Sequence, residues 1–169
     1  MYAPQSLRRR VADRIAVEAE MKIRKAKDED RGAVEHLLSA NDLPVDGVEE
    51  NFSSFVVAED KGEIIGAVGL EKFGSVALLR SAVVSNEHRG SGIGRKLVEQ
   101  ILENAEKDGI EELFLLTTTA EDYFPRFGFA RTTRSAVPAA AKASPEFQGA
   151  CPDTALVMTR RIGAPAYRD

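Results

Sequence analysis

The sequence predicts a single α/β domain with a mixed, mostly antiparallel β-sheet flanked by helices. The chain has 169 residues, of which 43% are hydrophobic, enough for one domain with a sizeable core. Apolar segments of strand length alternate with amphipathic segments of helix length, and several strand-like segments follow one another before the longest helix. Successive strands joined by short turns pair antiparallel, whereas strands joined through a helix pair in parallel. We therefore expect both kinds of pairing in one sheet.

The N-terminal residues predict an extension ahead of this domain. Leu7, Val11 and Ile15 recur at a four-residue spacing with arginines between them, which is typical of a short amphipathic helix over residues 5–19. A docked segment, a dimerisation arm and an artefact of start-codon choice all remain open for it. The predicted division is into an extension, a domain and a tail, at residues 1–20, 21–162 and 163–169.

The first half of the domain is expected to supply one helix and most of the strands. Asp28 precedes two acids and then apolar residues as far as Leu38, which predicts a helix with Asp28 as its N-cap. Residues 59–62, which read Glu-Asp-Lys-Gly between two strand-like runs, are predicted to form a hairpin turn. From runs of β-branched and apolar residues, strands are predicted at residues 23–26, 52–58, 63–70 and 76–84.

The second half is expected to begin with the longest helix. Ile93, Leu97 and Ile101 share one face of residues 93–107, and Gly109 follows in the manner of a C-terminal glycine cap. A short helix is predicted at residues 120–126 and a helical turn at 139–143. The remaining strands are predicted at residues 112–117, 128–131 and 154–160.

A glycine-rich segment between a strand and this helix predicts an anion site. It reads Arg89-Gly90-Ser91-Gly92-Ile93-Gly94-Arg95. Glycine allows close approach to the backbone, and the free N–H groups of a helix start favour negative charge, so the turn is suited to a pyrophosphate. It is not a Walker motif, because Gly94 is followed by Arg95 and Lys96, and its glycines lack the dinucleotide-fingerprint spacing.

Three motifs in order resemble the GCN5-related N-acetyltransferases, over roughly residues 21–162. The Arg-x-x-Gly-x-Gly pattern of Arg89, Gly92 and Gly94 is similar to the family's acetyl-CoA loop. The strand at residues 113–117 and the aromatic segment ending in Gly128-Phe129 complete the resemblance. A narrower similarity is to the amino-acid N-acetyltransferases and to acetyltransferases found with arsenic-resistance genes.

The resemblance implies an acetyl-CoA cosubstrate, held by a strand edge, the glycine turn and the facing strand. The amide of Val84 is then the expected donor that polarises the thioester carbonyl. The residues expected to contact the cosubstrate are Ala82, Val83, Val84, Arg89, Gly90, Ser91, Gly92, Ile93, Gly94, Arg95, Thr117, Thr118 and Phe124.

Three further side chains are candidates for chemistry on the acceptor. Glu71 at a strand end is the predicted base, with a solvated charge beside Lys72 as the alternative. Arg80 in mid-strand is predicted to grip a substrate carboxylate, or else to pair with Glu71 or another acid as structure. Phe124 occupies the position at which many members of the family carry a tyrosine next to the departing thiolate, where it serves as the general acid. Tyr123 is adjacent, but one step of an ideal helix rotates a side chain by about 100°, so Tyr123 does not simply take over the role of the acid and is assigned to the substrate site. A helix shifted by Pro125, protonation of the thiolate by water, and slow or absent acetyl transfer all remain open.

The predicted function is therefore acetyl transfer from acetyl-CoA to the amino group of a small amino-acid-like substrate by direct attack. A non-catalytic acyl-CoA-binding module and a protein N-terminal acetyltransferase are the alternatives. Residues 41–48 and 135–152 are expected to wall the site and favour a small acceptor.

Composition restricts the partners. A formal net charge of −4 gives no nucleic-acid footprint. The single cysteine, Cys151, makes no disulfide within the chain, and with two separated histidines it makes no metal-site spacing. No apolar run approaches transmembrane length. We expect a cytoplasmic protein without membrane or nucleic-acid partners or a bound metal, and a homodimer is compatible with the sequence.

Overall fold

The computed structural model describes residues 21–163, so the helix predicted at residues 5–19 lies outside the described residues. The chain forms one seven-stranded sheet in the order β1-β2-β3-β4-β5-β7-β6. The strands are β1 (Met21–Lys25), β2 (Phe55–Asp60), β3 (Glu63–Phe73), β4 (Val76–Val84), β5 (Glu112–Thr117), β6 (Ala130–Thr132) and β7 (Leu156–Arg161). The helices are α1 (Arg31–Ala40), α2 (Val48–Asn51), α3 (Ile93–Lys107) and α4 (Ala139–Lys142).

The sheet is mixed, as the sequence predicts. All neighbouring strands pair antiparallel except β4 and β5, which are parallel because α3 connects them. The β2–β3 hairpin closes where predicted, with Lys61 and Gly62 both at positive φ, as a type I′ turn requires. The predicted α/β class and the mostly antiparallel sheet are therefore confirmed.

Several boundaries differ from the expectation. Residues Phe52–Ser54 form a 3-10 turn, so β2 starts at Phe55, and β3 continues to Phe73 in register with β4. The helix predicted at residues 120–126 is wrong, since only a 3-10 turn at Phe124–Phe127 forms around Pro125, which lacks an N–H for a continuing helix.

The predicted cap at Asp28 is also wrong. Residues Asp28–Asp30 form a 3-10 turn ahead of α1, and Asp30 is the acid that fixes it. The Asp30 carboxylate accepts from the backbone N–H of Lys27 at 2.7 Å and from the guanidinium of Arg24 at 2.7 and 3.0 Å. This forked contact lowers the pKa of Asp30 and ties β1 to the start of α1.

The two faces of the sheet are covered differently. The apolar face of α3, with Leu97 and Ile101, packs on one face against Leu79 and Leu115. On the other face, α1 and α4 cover separate apolar clusters, one around Phe55 and one around Leu78, Phe114, Val137, Ala141 and Val157. Between residues 21 and 163, no helix is long and apolar enough to cross a membrane.

Candidate active site

A cavity lies where β4 and β5 part. Their pairing covers only Val76–Leu78 against Glu112–Phe114, after which the two strand edges are no longer bonded to each other. A cavity of about 360 Å³ occupies this gap. On one side it meets Gly94, Leu97 and Val98 of α3, and the strands line its middle.

A bulge in β4 contributes to the separation. Ala67 pairs with Val83 and Gly69 with Arg80, so β4 carries one more residue than β3 over this stretch. Ser81 in the bulge has φ of 58°, a left-handed conformation that is unusual for a residue inside a strand. Because a bulge bends its strand and increases the twist, β4 turns away from β5 beyond this point.

The gap exposes backbone groups of β4. The N–H of Ser85 donates to the carbonyl of Ile65 on β3 at 2.8 Å. Since successive residues of a strand direct their backbone groups to opposite sides, Val84 directs its N–H and C=O toward the gap. The Val84 carbonyl accepts there from Nε of Arg89 at 3.3 Å. The predicted carbonyl-polarising amide therefore lies on the cavity side of the strand, while its catalytic role stays a prediction.

The glycine turn leads into the N-terminus of α3. Gly92 is the N-cap residue with φ of 85°, and in the described part of the chain no side chain caps this helix. The amide of Lys96 is bonded to the carbonyl of Gly92, so the N–H groups of Ile93, Gly94 and Arg95 have no partner within the helix. Gly90 also has positive φ, at 79°, in the turn that leads into this 15-residue helix, whose start favours bound negative charge.

The two arginines of the turn have different surroundings. Arg89 lines the cavity and reaches across it, donating to Oδ1 of Asn41 at 2.6 Å. Arg95 pairs with Glu99 at 2.9 Å on the exposed side of α3. Of the residues predicted to contact the cosubstrate, the cavity is lined by Ala82, Val83, Val84, Arg89, Gly94, Thr117, Thr118 and Phe124. Those that belong to the turn or the helix start without lining the cavity are Gly90, Ser91, Gly92, Ile93 and Arg95.

Two segments wall the cavity on the face opposite α3, in line with the sequence-based expectation. One is the loop from Asn41 to Pro44, and the other is the stretch after α4 that contributes Glu146 and Cys151. The second segment includes a wide turn at Glu146–Ala150 in which Gly149 has φ of 111°. Together they close the side of the gap that α3 does not cover.

Arg80 joins both walls to the sheet, and its side chain has no solvent exposure. Nη1 donates to Oε1 of Glu71 at 2.9 Å, and Nη2 donates to the backbone carbonyl of Asp46. Nε donates to Oγ of Ser81 at 3.3 Å and lies 3.6 Å from Oε1 of Glu146. Each of the three guanidinium nitrogens thereby contacts protein groups, which come from β3, β4, the 41–47 loop and the segment after α4.

This geometry corrects two sequence-based expectations. Glu71 is absent from the cavity lining, and its carboxylate accepts from Nη1 of Arg80 at 2.9 Å and from Oγ of Ser144 at 2.7 Å. It is neither the accessible base nor the solvated charge, and Lys72 pairs with Asp108 instead. Arg80 is paired with Glu71 and each of its nitrogens already contacts a protein group, so the structural alternative describes it better than a grip on a substrate carboxylate.

Glu146 is a site residue that the sequence analysis missed. Glu146 is only 5% exposed to solvent, yet it lines the cavity beside Arg80. Burial raises its pKa from 4.5 to about 7, against the lowering effect of Arg80 and with a further increase from Glu71. No sequence signal marks it, since it is one acid in a segment without helix or strand periodicity. The same burial raises the pKa of the Cys151 thiol to about 11, which keeps that cavity residue protonated.

Tyr123 and Phe124 both line the cavity. Tyr123, with φ of −85° and ψ of −46°, leads directly into the 3-10 turn that starts at Phe124, so one helical step separates the two side chains although both reach the cavity. The Tyr123 ring packs edge-on against Phe124 and Phe127, with the guanidinium of Arg126 4.4 Å from its centre. Burial raises the pKa of the Tyr123 phenol, so it remains a proton donor at neutral pH.

Comparison with known proteins gives a consistent assignment. Residues 51–131 match the profile of the acetyltransferase (GNAT) domain. An uncharacterised N-acetyltransferase of Chlorobaculum tepidum is 35% identical over 86 residues, which are 50% of this chain and 55% of that protein. An amino-acid acetyltransferase of Aeromonas salmonicida is 36% identical over 84 residues, which are 48% of this chain and 19% of that protein. The matched region thus spans about half, or less, of these relatives.

A solved structure shares the fold. N-acetylglutamate synthase from Neisseria gonorrhoeae, crystallised with coenzyme A and N-acetylglutamate, superposes with a TM-score of 0.73. The match covers 85% of this chain and 35% of that chain at 22% sequence identity. At this identity the similarity establishes the shared fold alone.

Proposed function

The chain belongs to the GCN5-related N-acetyltransferase family, and we propose that it transfers an acetyl group from acetyl-CoA to the amino group of a small amino-acid-like substrate. The observation that carries the proposal is the gap between β4 and β5. It offers an unpaired strand edge that leads to the free amides at the start of α3. A coenzyme A molecule needs both features, one for its amide-containing arm and one for its pyrophosphate.

The donor enters from the α3 side. Its pyrophosphate is bound by the amides of the glycine turn, where the helix dipole favours negative charge. Its pantetheine arm pairs with the free edge of β4 at Ala82 and Val84, as an added strand would. Thr117 and Thr118, at the end of β5, face it from the other edge of the gap.

The acceptor occupies the opposite face, within the two walls. A cavity of about 360 Å³ bounded by the Asn41 loop and the segment around Glu146 suits a small molecule better than a polypeptide. The matched amino-acid acetyltransferase and the N-acetylglutamate synthase structure support an amino-acid-like acceptor.

The reaction is direct attack of a neutral amine on the thioester carbonyl. The N–H of Val84 donates to the developing oxyanion, which it meets without reorganisation because the strand holds it. The C–S bond then breaks, the departing thiolate takes a proton from the Tyr123 hydroxyl, and the newly acylated nitrogen loses its extra proton to solvent. No protein nucleophile is needed, and the phenol regains its proton from solvent.

Thiol release tests the proposal. The full chain is incubated with acetyl-CoA and a panel containing glutamate, glutamine, other free amino acids and an unblocked peptide, and free thiol is followed while mass spectrometry identifies acetylated products. Release with a free amino acid and formation of its N-acetyl derivative is the expected result. Acetyl-CoA binding with no release for any amine would identify a binding module instead. Release with the peptide alone would identify a protein acetyltransferase.

A further inference from the structure

The buried cluster around Arg80 contains one more carboxylate than the arginine requires. The guanidinium already donates to Glu71, to the Asp46 carbonyl and to Ser81. Glu146 approaches Nε only to 3.6 Å, which is too long for a hydrogen bond. A second buried acid is costly beside a single cation, because the two carboxylates repel each other in a medium of low dielectric constant. Neutralising Arg80 therefore does not explain why Glu146 is there.

The position of Glu146 suggests what it does. It lines the cavity on the face opposite α3, which is the face left to the acceptor once the donor occupies the glycine turn. Its neighbour Arg80 lies two residues beyond Leu78, the last residue of β4 that pairs with β5. From there to Val84 the strand spans about 13 Å, so Glu146 lies at the closed end of the gap, away from the turn. Asp42 is the other acid that lines the cavity in the described chain, and its loop position is exposed.

We propose that Glu146 is the general base that removes a proton from the ammonium group of the acceptor. This inference rests on the proposed acetyl transfer. An N–H bond of the ammonium breaks and an O–H bond forms on the Glu146 carboxylate, which leaves a lone pair on nitrogen to attack the thioester carbon. Glu146 afterwards returns the proton to solvent through the cavity, so each cycle begins with the carboxylate.

The surroundings of Glu146 match this role. Burial has the largest influence and favours its protonated form; Arg80 on β4 stabilises the ionised form, and Glu71 on β3 again favours the protonated one. Cys151 on the same segment stays a neutral thiol, and Arg134 interacts with that cysteine from the turn before α4. The balance brings the pKa of Glu146 to about 7, where a base can both accept and release a proton near neutral pH.

Glu146→Gln and the matched variant Glu71→Gln separate catalysis from structure, since each removes one charge from the same cluster. We expect Glu146→Gln to lower kcat about 100-fold at pH 7, with unchanged acetyl-CoA affinity by calorimetry. The loss should shrink at high pH, where the acceptor amine is already neutral. The wild-type pH profile of kcat/KM should show an acidic limb near pH 7 that Glu146→Gln lacks. Glu71→Gln should keep that limb, displaced to lower pH because a neighbouring negative charge is gone.

Other results would overturn the inference. The inference fails if kcat of Glu146→Gln at pH 7 stays within threefold of the wild-type value, or if the pH profile of this variant keeps the acidic limb. It also fails if both variants lose the same factor in kcat and the acidic limb of Glu71→Gln does not move. Should Glu146→Gln fail to bind acetyl-CoA, Glu146→Asp is measured instead, and it must keep the limb at reduced kcat. If the wild type releases no thiol with any amine, the proposed acetyl transfer itself fails. If the wild type is active and Glu146→Gln behaves like it, only the role of Glu146 as the base fails.

Discussion

Nη1 of Arg80 donates a hydrogen bond of 2.9 Å to Oε1 of Glu71 inside the sheet, and neither side chain is more than 9% exposed. The pair joins β3 to β4 next to the point where β4 separates from β5. Because Arg80 also binds the Asp46 carbonyl and approaches Glu146, it holds the walls of the cavity in position. The architecture of the site therefore depends on one buried cation.

Arg80→Met is expected to destabilise the fold strongly. It leaves Glu71 and Glu146 buried without their counter-charge, and removing one partner of a buried ion pair costs about 3–5 kcal/mol. Urea unfolding followed by circular dichroism at pH 7 measures this loss. Arg95→Met is the matched control, because the Arg95–Glu99 pair has the same 2.9 Å separation but is exposed. Its effect should stay within about 0.5 kcal/mol. Equal effects of the two substitutions would contradict the structural role of Arg80.

The ionisation of Glu146 predicts a pH-dependent stability. Its pKa is raised from 4.5 to about 7 on folding, so the folded state binds more protons than the unfolded state between these values. The contribution is fully present below pH 4.5 and is lost as the pH rises through 7, at most about 3 kcal/mol in all. Urea unfolding of the wild type at pH 5 and pH 8 should show this decline, and Glu146→Gln should show a smaller one. Parallel declines in both proteins would refute it.

Much of the fold was predictable from local patterns. The boundaries of β4, α3 and β5 coincide with the predicted ones, because apolar periodicity and the glycine turn specify them without reference to the rest of the chain. The helix predicted at residues 120–126 does not form, since Pro125 and the packing of Tyr123 and Phe124 into the cavity override helix propensity.

The site was predictable on the donor side and less so on the acceptor side. The donor is held by backbone groups of a contiguous segment, which leave a glycine pattern in the sequence. The buried cluster around Arg80 brings Glu71 and Arg80 together with Ser144 and Glu146, and these two pairs lie far apart along the chain. Which carboxylate faces the cavity depends on how the segment after α4 folds over the sheet, and no local pattern encodes that.

Gly94→Ala tests the close approach at the start of α3. An added Cβ would lie 3.0 Å from the Tyr123 hydroxyl, so Tyr123 must move, while φ imposes no strain. We expect acetyl-CoA affinity to fall about tenfold, or ~1.4 kcal/mol, because the amides and the ring that face the cosubstrate are displaced. Calorimetric titration with acetyl-CoA measures it. Gly32→Ala in α1 is the control, since its Cβ would meet no atom within 4 Å. It should leave affinity unchanged and raise stability by up to about 1 kcal/mol.

Tyr123→Phe tests the donor of the proton to the thiolate. Phe124 occupies the position expected for the acid, and Tyr123 carries the phenol that lines the cavity. Burial raises the pKa of this phenol, so it is protonated when the thiolate departs. Removing the hydroxyl should lower kcat about 100-fold while acetyl-CoA affinity and unfolding free energy stay unchanged, because the ring keeps its contacts with Phe124 and Phe127. Steady-state thiol release gives kcat, and an unchanged value would mean that solvent protonates the thiolate directly.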